Sequence, residues 1–215
     1  MRIHAAPLWW AATNCYVISG DDGTGVIVDA PPDLPAIERI VDDAGVVPVA
    51  LLATHGHVDH IGAAGAAVRR WSMVGYLHPD DDWLARDPAT QLRMMFGMQP
   101  DGDYAPPEHY EDLHDGQVLE VAGLSFEVLH TPGHTPGHVC FRVADEGILF
   151  AGDHLFAGSI GRTDLPGGDY DTLMLSMRDK IAPLPPDTDV LPGHGPATTI
   201  ARELAVNPFL SQFRT

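Results

Sequence analysis

The alternation of apolar and polar residues predicts two successive groups of strands, each followed by helices. In the first half, short runs with a period of two alternate with segments whose apolar residues recur every three or four positions. A polar, glycine-containing turn at 20–23 joins the first two runs into a predicted hairpin. We predict strands at 15–19, 25–29, 46–53 and 73–77, and helices at 33–44 and 61–71.

Strand patterns predominate again after residue 117, and helical spacing returns only near the end. Both halves therefore place strands before a helix, an order that suits two sheets packed face to face with helices outside. The fold class is α/β, and 215 residues are expected to form one domain, residues 1–215. We predict strands at 118–121, 124–129, 138–143, 148–151 and 189–191, and helices at 169–182 and 198–206.

A long irregular segment at 79–116 separates the two halves. It contains several prolines, many aspartates and the apolar cluster Met94, Met95, Phe96 and Met98. Segments of this length in compact domains are often lids or binding loops. Packing of the methionines against a neighbouring core is the alternative, and it is slightly favoured because methionine readily fills core gaps.

The charge balance argues against nucleic acid and membranes as partners. Twelve Lys and Arg residues against thirty Asp and Glu residues give a net charge of -18. This charge repels phosphate backbones and anionic headgroups. The N-terminal region has too interrupted an apolar stretch for a signal peptide or a transmembrane helix, so a cytoplasmic location is expected.

Two cysteines, Cys15 and Cys140, lie in separate apolar contexts. They are predicted to be buried thiols in strands rather than a redox or zinc pair.

The segment Thr54-His55-Gly56-His57-Val58-Asp59-His60 carries the strongest chemical signal. It follows a predicted strand, and residues two apart in extended backbone point to the same side. His55 and His57 can therefore face one point, while Asp59 and His60 follow as a helix begins. Three imidazoles and a carboxylate within six residues indicate a metal-binding loop.

Three later turns have the same character: His134 in Thr-Pro-Gly-His-Thr, Asp153 in Phe-Ala-Gly-Asp and His194 in Pro-Gly-His-Gly. Each places a possible ligand beside glycine at the end of a predicted strand. With the first segment they supply five imidazoles and two carboxylates, more than one tetrahedral site can use. A pair of ions bridged by one carboxylate would use all seven.

The order of these motifs resembles the metallo-β-lactamase superfamily over nearly the whole chain. The segments Ala-Gly-Asp-His-Leu-Phe, Gly-Arg-Thr-Asp-Leu-Pro-Gly-Gly and Leu-Pro-Gly-His-Gly-Pro further resemble the small glyoxalase II-like hydrolases. This resemblance implies an αββα sandwich with the metals at one edge between the halves. It also implies a ligand set for each ion: His55, His57 and His134 for one, Asp59, His60 and His194 for the other, with Asp153 bridging them.

Two positions depart from the family pattern or extend it. His154 stands where a small or hydroxylated residue is common, and strand alternation predicts that it points away from the metals as a structural residue. Arg162 could bind a substrate carboxylate, although a structural ion pair is the alternative. We also expect no counterpart of the further helical domain that provides glutathione contacts in full-length glyoxalase II, so the resemblance implies no glutathione specificity.

The nitrogen and oxygen ligand set suits two divalent ions, zinc first, with iron or manganese as alternatives. Asp59 is the predicted catalytic residue, because its free oxygen could orient the attacking water. We expect a small-molecule acyl thioester such as S-lactoylglutathione as the substrate, since a thiolate with a pKa of about 8.5 can leave without a general acid. The alternatives are a persulfide dioxygenase with one iron, or a lactonase. A true β-lactamase is disfavoured because dizinc β-lactamases typically lack the bridging aspartate.

Overall fold

The computed structural model describes residues 1–20 and 22–213. Its first half forms a mixed sheet of six strands that follow each other in chain order. The first three strands are antiparallel, and the remaining strands each pair in parallel with the preceding one. These strands are β1 (Arg2–Leu8), β2 (Thr13–Ser19), β3 (Thr24–Val28), β4 (Val47–Leu52), β5 (Val74–Leu77) and β6 (Glu111–Asp112).

The second half forms another six-stranded sheet and a short separate hairpin. The strands in chain order are β7 (Val118–Val121), β8 (Leu124–His130), β9 (Val139–Val143), β10 (Ile148–Gly152), β11 (Leu155–Phe156), β12 (Ser159–Ile160), β13 (Asp189–Pro192) and β14 (Thr198–Thr199). Strands β11 and β12 form the hairpin, and the sheet has the order β14-β13-β10-β9-β8-β7. Only the β10–β13 pair in this sheet is parallel, among the strands described.

Seven α-helices connect or flank the strands in the described residues. Asp33 accepts a hydrogen bond from the first turn of the first helix, and Gly45 ends that helix in the left-handed conformation. The helices are α1 (Leu34–Ala44), α2 (Val58–Ile61), α3 (Ala64–Trp71), α4 (Asp82–Ala85), α5 (Pro88–Phe96), α6 (Tyr170–Ser176) and α7 (Ile200–Val206), and α6 continues as a π-helical segment over Met177–Ile181.

The alternation of side chains along each strand explains how these elements form four layers. Tyr16 and Ile18 of β2 join Phe141 and Phe150 of the second sheet in a core between the sheets. The opposite face of the first sheet packs against α1 and α3. The opposite face of the second sheet packs against α6 and α7. The predicted αββα sandwich is therefore confirmed.

Most predicted elements are present, with bounds shifted by one or two residues. The predicted helix 61–71 is wrong as a continuous helix, because it is divided into α2 and α3. The backbone N–H of Ala63 donates to the carbonyl of Ala30 instead of continuing the helical hydrogen-bond pattern. Strand β1 was not predicted, since it is an edge strand with a proline and only partial burial.

The segment 79–116 contains α4, α5 and β6, and it packs against the loop that follows β4. Phe96 and Met98 are partly buried against Val58 and Leu92, as the packing interpretation expects. Met94 does not fit that interpretation, because it is 79% exposed. The segment therefore combines packing with an exposed apolar surface.

Cys15 and Cys140 are buried, unpaired thiols in β2 and β9, as predicted. Burial raises the pKa of both thiols, to about 12 for Cys140, which keeps them protonated and unreactive. None of the described helices has both the length and the apolar composition required to cross a bilayer.

Candidate metal centre

Four strand ends bring the predicted ligands to one edge of the sandwich. The first segment follows β4, and His134, Asp153 and His194 follow β8, β10 and β13. All seven side chains fall into overlapping groups whose possible ligand atoms lie within 4.8 Å of one another. These groups are His55, His57 and His134; His55, His60 and Asp153; and Asp59, His60 and His194.

The first group consists of three imidazoles whose nitrogens converge. His134 Nε2 lies 2.9 Å from His57 Nδ1 and 3.2 Å from His55 Nε2. All three side chains are buried. The carbonyl of Arg162 accepts a hydrogen bond from His134 Nδ1 at 2.7 Å, so Nε2 carries the lone pair that faces the group.

The second group combines Asp59 with two imidazoles. Asp59 Oδ2 lies 3.2 Å from His194 Nε2 and 3.6 Å from His60 Nε2. Thr13, at the start of β2, donates its hydroxyl to the same carboxylate oxygen over 3.2 Å. One oxygen of Asp59 therefore makes all of these contacts.

Asp153 lies between the two groups. Its Oδ1 is 3.3 Å from His60 Nε2, and its Oδ2 is 3.7 Å from His134 Nε2 and 3.5 Å from His194 Nε2. The carboxylate thus faces imidazoles from both groups, which is the placement expected of a bridging ligand.

The charge states of the two groups differ. Burial, reinforced by the neighbouring imidazoles, lowers the pKa of His57 to about 3 and that of His55 well below its ordinary value. Burial opposes ionisation of Asp59 and Asp153, yet His60 and the other nearby imidazoles keep the pKa of each carboxyl below its ordinary value. His55 and His57 are thus neutral and both carboxylates are ionised. Despite burial, the nearby carboxylates raise the pKa of His60 and of His194, so these two imidazoles must lose a proton when a metal ion binds.

The donor set fits bound metal ions, and two buried atoms support this directly. His60 Nε2 and Asp153 Oδ1 are buried and face each other at 3.3 Å without hydrogen-bond geometry, and neither has another hydrogen-bond partner in the described chain. Buried polar atoms are ordinarily paired. His134 Nε2 lies 2.9 Å from His57 Nδ1 and 3.2 Å from His55 Nε2, and nitrogens this close likewise need a cation or a proton between them. Nitrogen and carboxylate ligands without thiolate suit zinc, iron or manganese.

Asp29 accepts hydrogen bonds from the segment Thr54–His60, which carries the first candidate ligands, and sequence reasoning missed it. His60 Nδ1 donates to Asp29 Oδ2 at 2.7 Å, which leaves Nε2 free to face the site. The backbone N–H and the hydroxyl of Thr54 also donate to Asp29. Its position at the end of β3 was the available signal, because polar residues at strand ends often serve a site.

Asp81 connects the two loops that carry the first group, and it was also missed. Its Oδ2 accepts hydrogen bonds from the backbone N–H of Gly56 at 2.8 Å and the hydroxyl of Thr135 at 2.6 Å. Its Oδ1 accepts from the backbone N–H of Gly137 at 2.7 Å. Asp81 is fully buried, so it fixes the spacing between the loop of His55 and the loop of His134.

His138 and the start of β2 position the remaining ligands. His138 Nε2 accepts a hydrogen bond from the backbone N–H of Asp153 at 3.0 Å. The side chains of Asn14 and Tyr16 each donate a hydrogen bond to the carbonyl of Pro192, which precedes the turn of His194. None of these residues stands out by spacing along the chain.

Arg162 and His154 lie beside the ligands without joining the groups. The guanidinium of Arg162 makes two hydrogen bonds with the carboxylate of Asp164, at 2.7 and 2.8 Å. Substrate binding by Arg162 stays a prediction. His154 is buried and belongs to none of the possible metal-binding groups in the described part of the chain.

Glycine is required where the backbone passes closest to the ligands. A Cβ atom at Gly193 would lie 2.2 Å from Asp153 Oδ1 and 2.7 Å from His60 Cε1. The residue before His194 therefore cannot carry a side chain without displacing two ligands.

Comparison with known proteins identifies the family. Residues 8–194 match the metallo-β-lactamase superfamily. A curated relative, hydroxyacylglutathione hydrolase GloC of Haemophilus influenzae, is 36% identical over 98% of this chain and 99% of its own. The crystal structure of BLEG-1 B3 metallo-β-lactamase has a TM-score of 0.90 and 39% identity, covering 98% of this chain and all of its own.

A third similar protein bears on the metal centre. The crystal structure of TTHA1623 in a di-iron-bound form has a TM-score of 0.86 and 37% identity, covering 95% of this chain and 98% of its own. The sandwich, the clustered histidines and aspartates at its edge and these similarities lead to one conclusion: the chain belongs to the metallo-β-lactamase superfamily.

Proposed function

We propose that this protein is a dinuclear metal-dependent hydrolase that cleaves an acyl thioester. The placement of Asp153 carries the proposal, because one carboxylate faces imidazoles of both ligand groups at 3.3 to 3.7 Å. His55, His57 and His134 would hold one ion, and Asp59, His60 and His194 the other. Zinc is the first candidate, with iron or manganese as alternatives.

The two ions, when bound, would supply acidified water and polarise the substrate carbonyl. The contacts of Asp59 with Thr13, His60 and His194 use Oδ2. This leaves Oδ1 to accept a hydrogen bond from the attacking water and to hold it in line with the carbonyl. Asp59 is ionised at neutral pH because its pKa is lowered by His60 despite burial.

The leaving group decides between substrate classes. A thiol with a pKa of about 8.5 departs as the thiolate, whereas an amide nitrogen requires a proton donor. In the described chain, the imidazoles and carboxylates that converge here are all assigned to the two ions, which suits a leaving group that needs no proton. The 36% identity to hydroxyacylglutathione hydrolase GloC also supports a thioester as the class of substrate.

The experiment compares four reactions with the metal-loaded protein. Thiol release from S-lactoylglutathione and other acyl thioesters is followed with a chromogenic thiol reagent, beside hydrolysis of a chromogenic β-lactam and of a lactone. Oxygen uptake is measured with glutathione persulfide. We expect thioester hydrolysis to have the highest kcat/KM.

The controls separate the proposed site from incidental activity. His194→Ala should reduce thiol release at least about 100-fold, since a ligand is lost. His109→Ala should leave it unchanged, because the His109 side chain is 73% exposed. Oxygen uptake with persulfide, without thiol release from any thioester, would favour the persulfide dioxygenase alternative. Hydrolysis of the β-lactam or of the lactone faster than of any thioester would instead favour a β-lactamase or a lactonase.

A further inference from the structure

An apolar cavity of about 200 Å³ opens beside the metal-centre residue His57. Its walls come from α4, α5 and the loop that follows β12. The apolar side chains that line it are Trp83, Leu84, Met94, Met95 and Pro166. His57 is also among the residues that line it, so the cavity lies directly beside the metal centre.

The cavity wall is fixed to the ligand loop. The amide of Gln91 on α5 donates to the carbonyl of Gly56 at 2.8 Å and accepts from the backbone N–H of Val58 at 3.1 Å. The next residue, Leu92, is fully buried against Val58 and Tyr104. The position of α5 is therefore tied to that of His57, and the cavity keeps a defined place beside the site.

The exposure of the lining side chains is unusual for a helix that has only a packing role. Met94 is 79% exposed, and Trp83 is about half exposed, although both are large and apolar. Exposed apolar surface next to a reaction centre is typical of ligand binding. Methionine suits this role, because its flexible side chain adapts to ligands of different shape.

The charge of the lining residues disfavours an anionic occupant. Asp87 is the charged residue among those that line it, and no lysine or arginine is among them. The hydrogen bonds from Thr90 lower the pKa of Asp87, so that it carries a negative charge at neutral pH. The guanidinium of nearby Arg162 is engaged by Asp164. The lining thus presents a negative charge and no cation, which disfavours a carboxylate there. The exposed Arg93 contacts the lining residue Thr90 but does not itself line the cavity.

We propose that this cavity is a substrate subsite that binds an uncharged, apolar substituent of the thioester. The inference rests on the proposed function and adds the substrate class: the substituent that enters the cavity is a hydrocarbon chain or ring rather than the charged end of a peptide thiol. The chain can belong to the acyl group or to the leaving thiol, which share this chemistry.

Two series of substrates distinguish these sources. The first varies the acyl group from acetyl to hexanoyl on one small thiol, N-acetylcysteamine. The second keeps the acetyl group and lengthens an uncharged alkyl thiol. In the series that fills the cavity, kcat/KM should rise about fourfold per methylene until the cavity is full. The other series should stay nearly flat.

Variants of the lining test the location. Met95→Lys and Met94→Lys should flatten the chain-length dependence and lower kcat/KM for the longest substrate at least about tenfold. The exposure of Met94 makes its replacement compatible with folding. Leu175→Lys on α6 is the matched control, because it also replaces an exposed apolar helical residue.

A binding measurement keeps this test separate from the proposed function. Calorimetry with non-hydrolysable thioethers carrying the same chains should show tighter binding as the chain lengthens, and Met95→Lys should abolish the gain. If the thioethers bind in this way but no thioester is hydrolysed, the subsite stands and the proposed reaction fails. The subsite would be overturned by the following result: neither thioester hydrolysis nor thioether binding depends on chain length, and neither variant changes them.

Discussion

Asp29 Oδ2 lies 2.7 Å from His60 Nδ1, and both side chains are buried. The imidazole donates to the carboxylate through Nδ1, so its Nε2 is directed to the site. Burial opposes protonation of His60, but Asp153, Asp59 and Asp29 raise its pKa well above the ordinary value. The aspartate behind the ring thus orients the ligand and makes its nitrogen more basic.

Asp29→Asn should lower metal affinity at the second group by about 10- to 100-fold, because the amide keeps the shape but loses the charge. Competition with a coloured chelator measures this affinity. Asp42→Asn serves as the control, since Asp42 lies exposed on α1. Unchanged affinity in Asp29→Asn would show that the aspartate does not support the ligand.

Asp81→Ala should destabilise the metal-free protein by at least about 3 kcal/mol. It removes the acceptor from Gly56, Thr135 and Gly137, and each buried donor left without a partner costs about 1–3 kcal/mol. Denaturant unfolding gives the value. The adjacent Asp80→Ala is the matched control, because that side chain is 59% exposed. Equal losses in the two variants would contradict the role assigned to Asp81.

Gly193→Ala should reduce metal content while the chain remains folded. The added Cβ would clash with Asp153 Oδ1, so the Asp153 carboxylate must move. A matched change is Gly102→Ala, where the nearest atom is 3.9 Å away. Elemental analysis and circular dichroism of both variants test this, and full metal content in Gly193→Ala would refute the close approach.

His78 predicts a pH dependence of stability that is independent of the metal ligands. Its ring stacks on His130 with centroids 4.0 Å apart. Burial, with the neighbouring His130, lowers the pKa of His78 to about 4, below the ordinary value of about 6.5. Between these values the unfolded chain binds more protons, so stability falls as the pH decreases from about 6.5 to 4.

His78→Phe should reduce this acid destabilisation while keeping an aromatic ring in the stack. The measurement is the denaturant midpoint at pH 7 and at pH 5 for the wild type, His78→Phe and the exposed control His109→Phe. An equal drop in midpoint for all three proteins would show that His78 does not titrate in this way.

The convergence of the seven candidate ligands could be predicted from sequence, whereas the residues that position them could not. Four possible ligands within six positions after a strand are a local pattern, and the sheets bring the remaining three to the same edge. Asp81 stands between Asp80 and Asp82 in the sequence and is indistinguishable from them there. Only the packing of α4 against the ligand loop buries it and leaves Asp80 exposed.

The same limit applies to α5 and to the domain expectation. The sequence slightly favours core packing for the methionine cluster over a lid or binding loop, because apolar residues at helical spacing usually are buried. Its actual division into buried Leu92, partly buried Phe96 and exposed Met94 depends on how Gln91 attaches the helix to the ligand loop. The expectation of a single domain over residues 1–215 stays a prediction, as do the absence of nucleic-acid partners and the cytoplasmic location.

The number of metal ions per chain tests the central claim most directly. After expression in metal-replete medium, elemental analysis and native mass spectrometry should give close to two transition-metal ions per wild-type chain. His194→Ala should retain about one, and Asp153→Asn should lose affinity at both positions, because Asp153 faces both groups. One tightly bound iron in the wild type, with no second ion and with full content in His194→Ala, would contradict the dinuclear site.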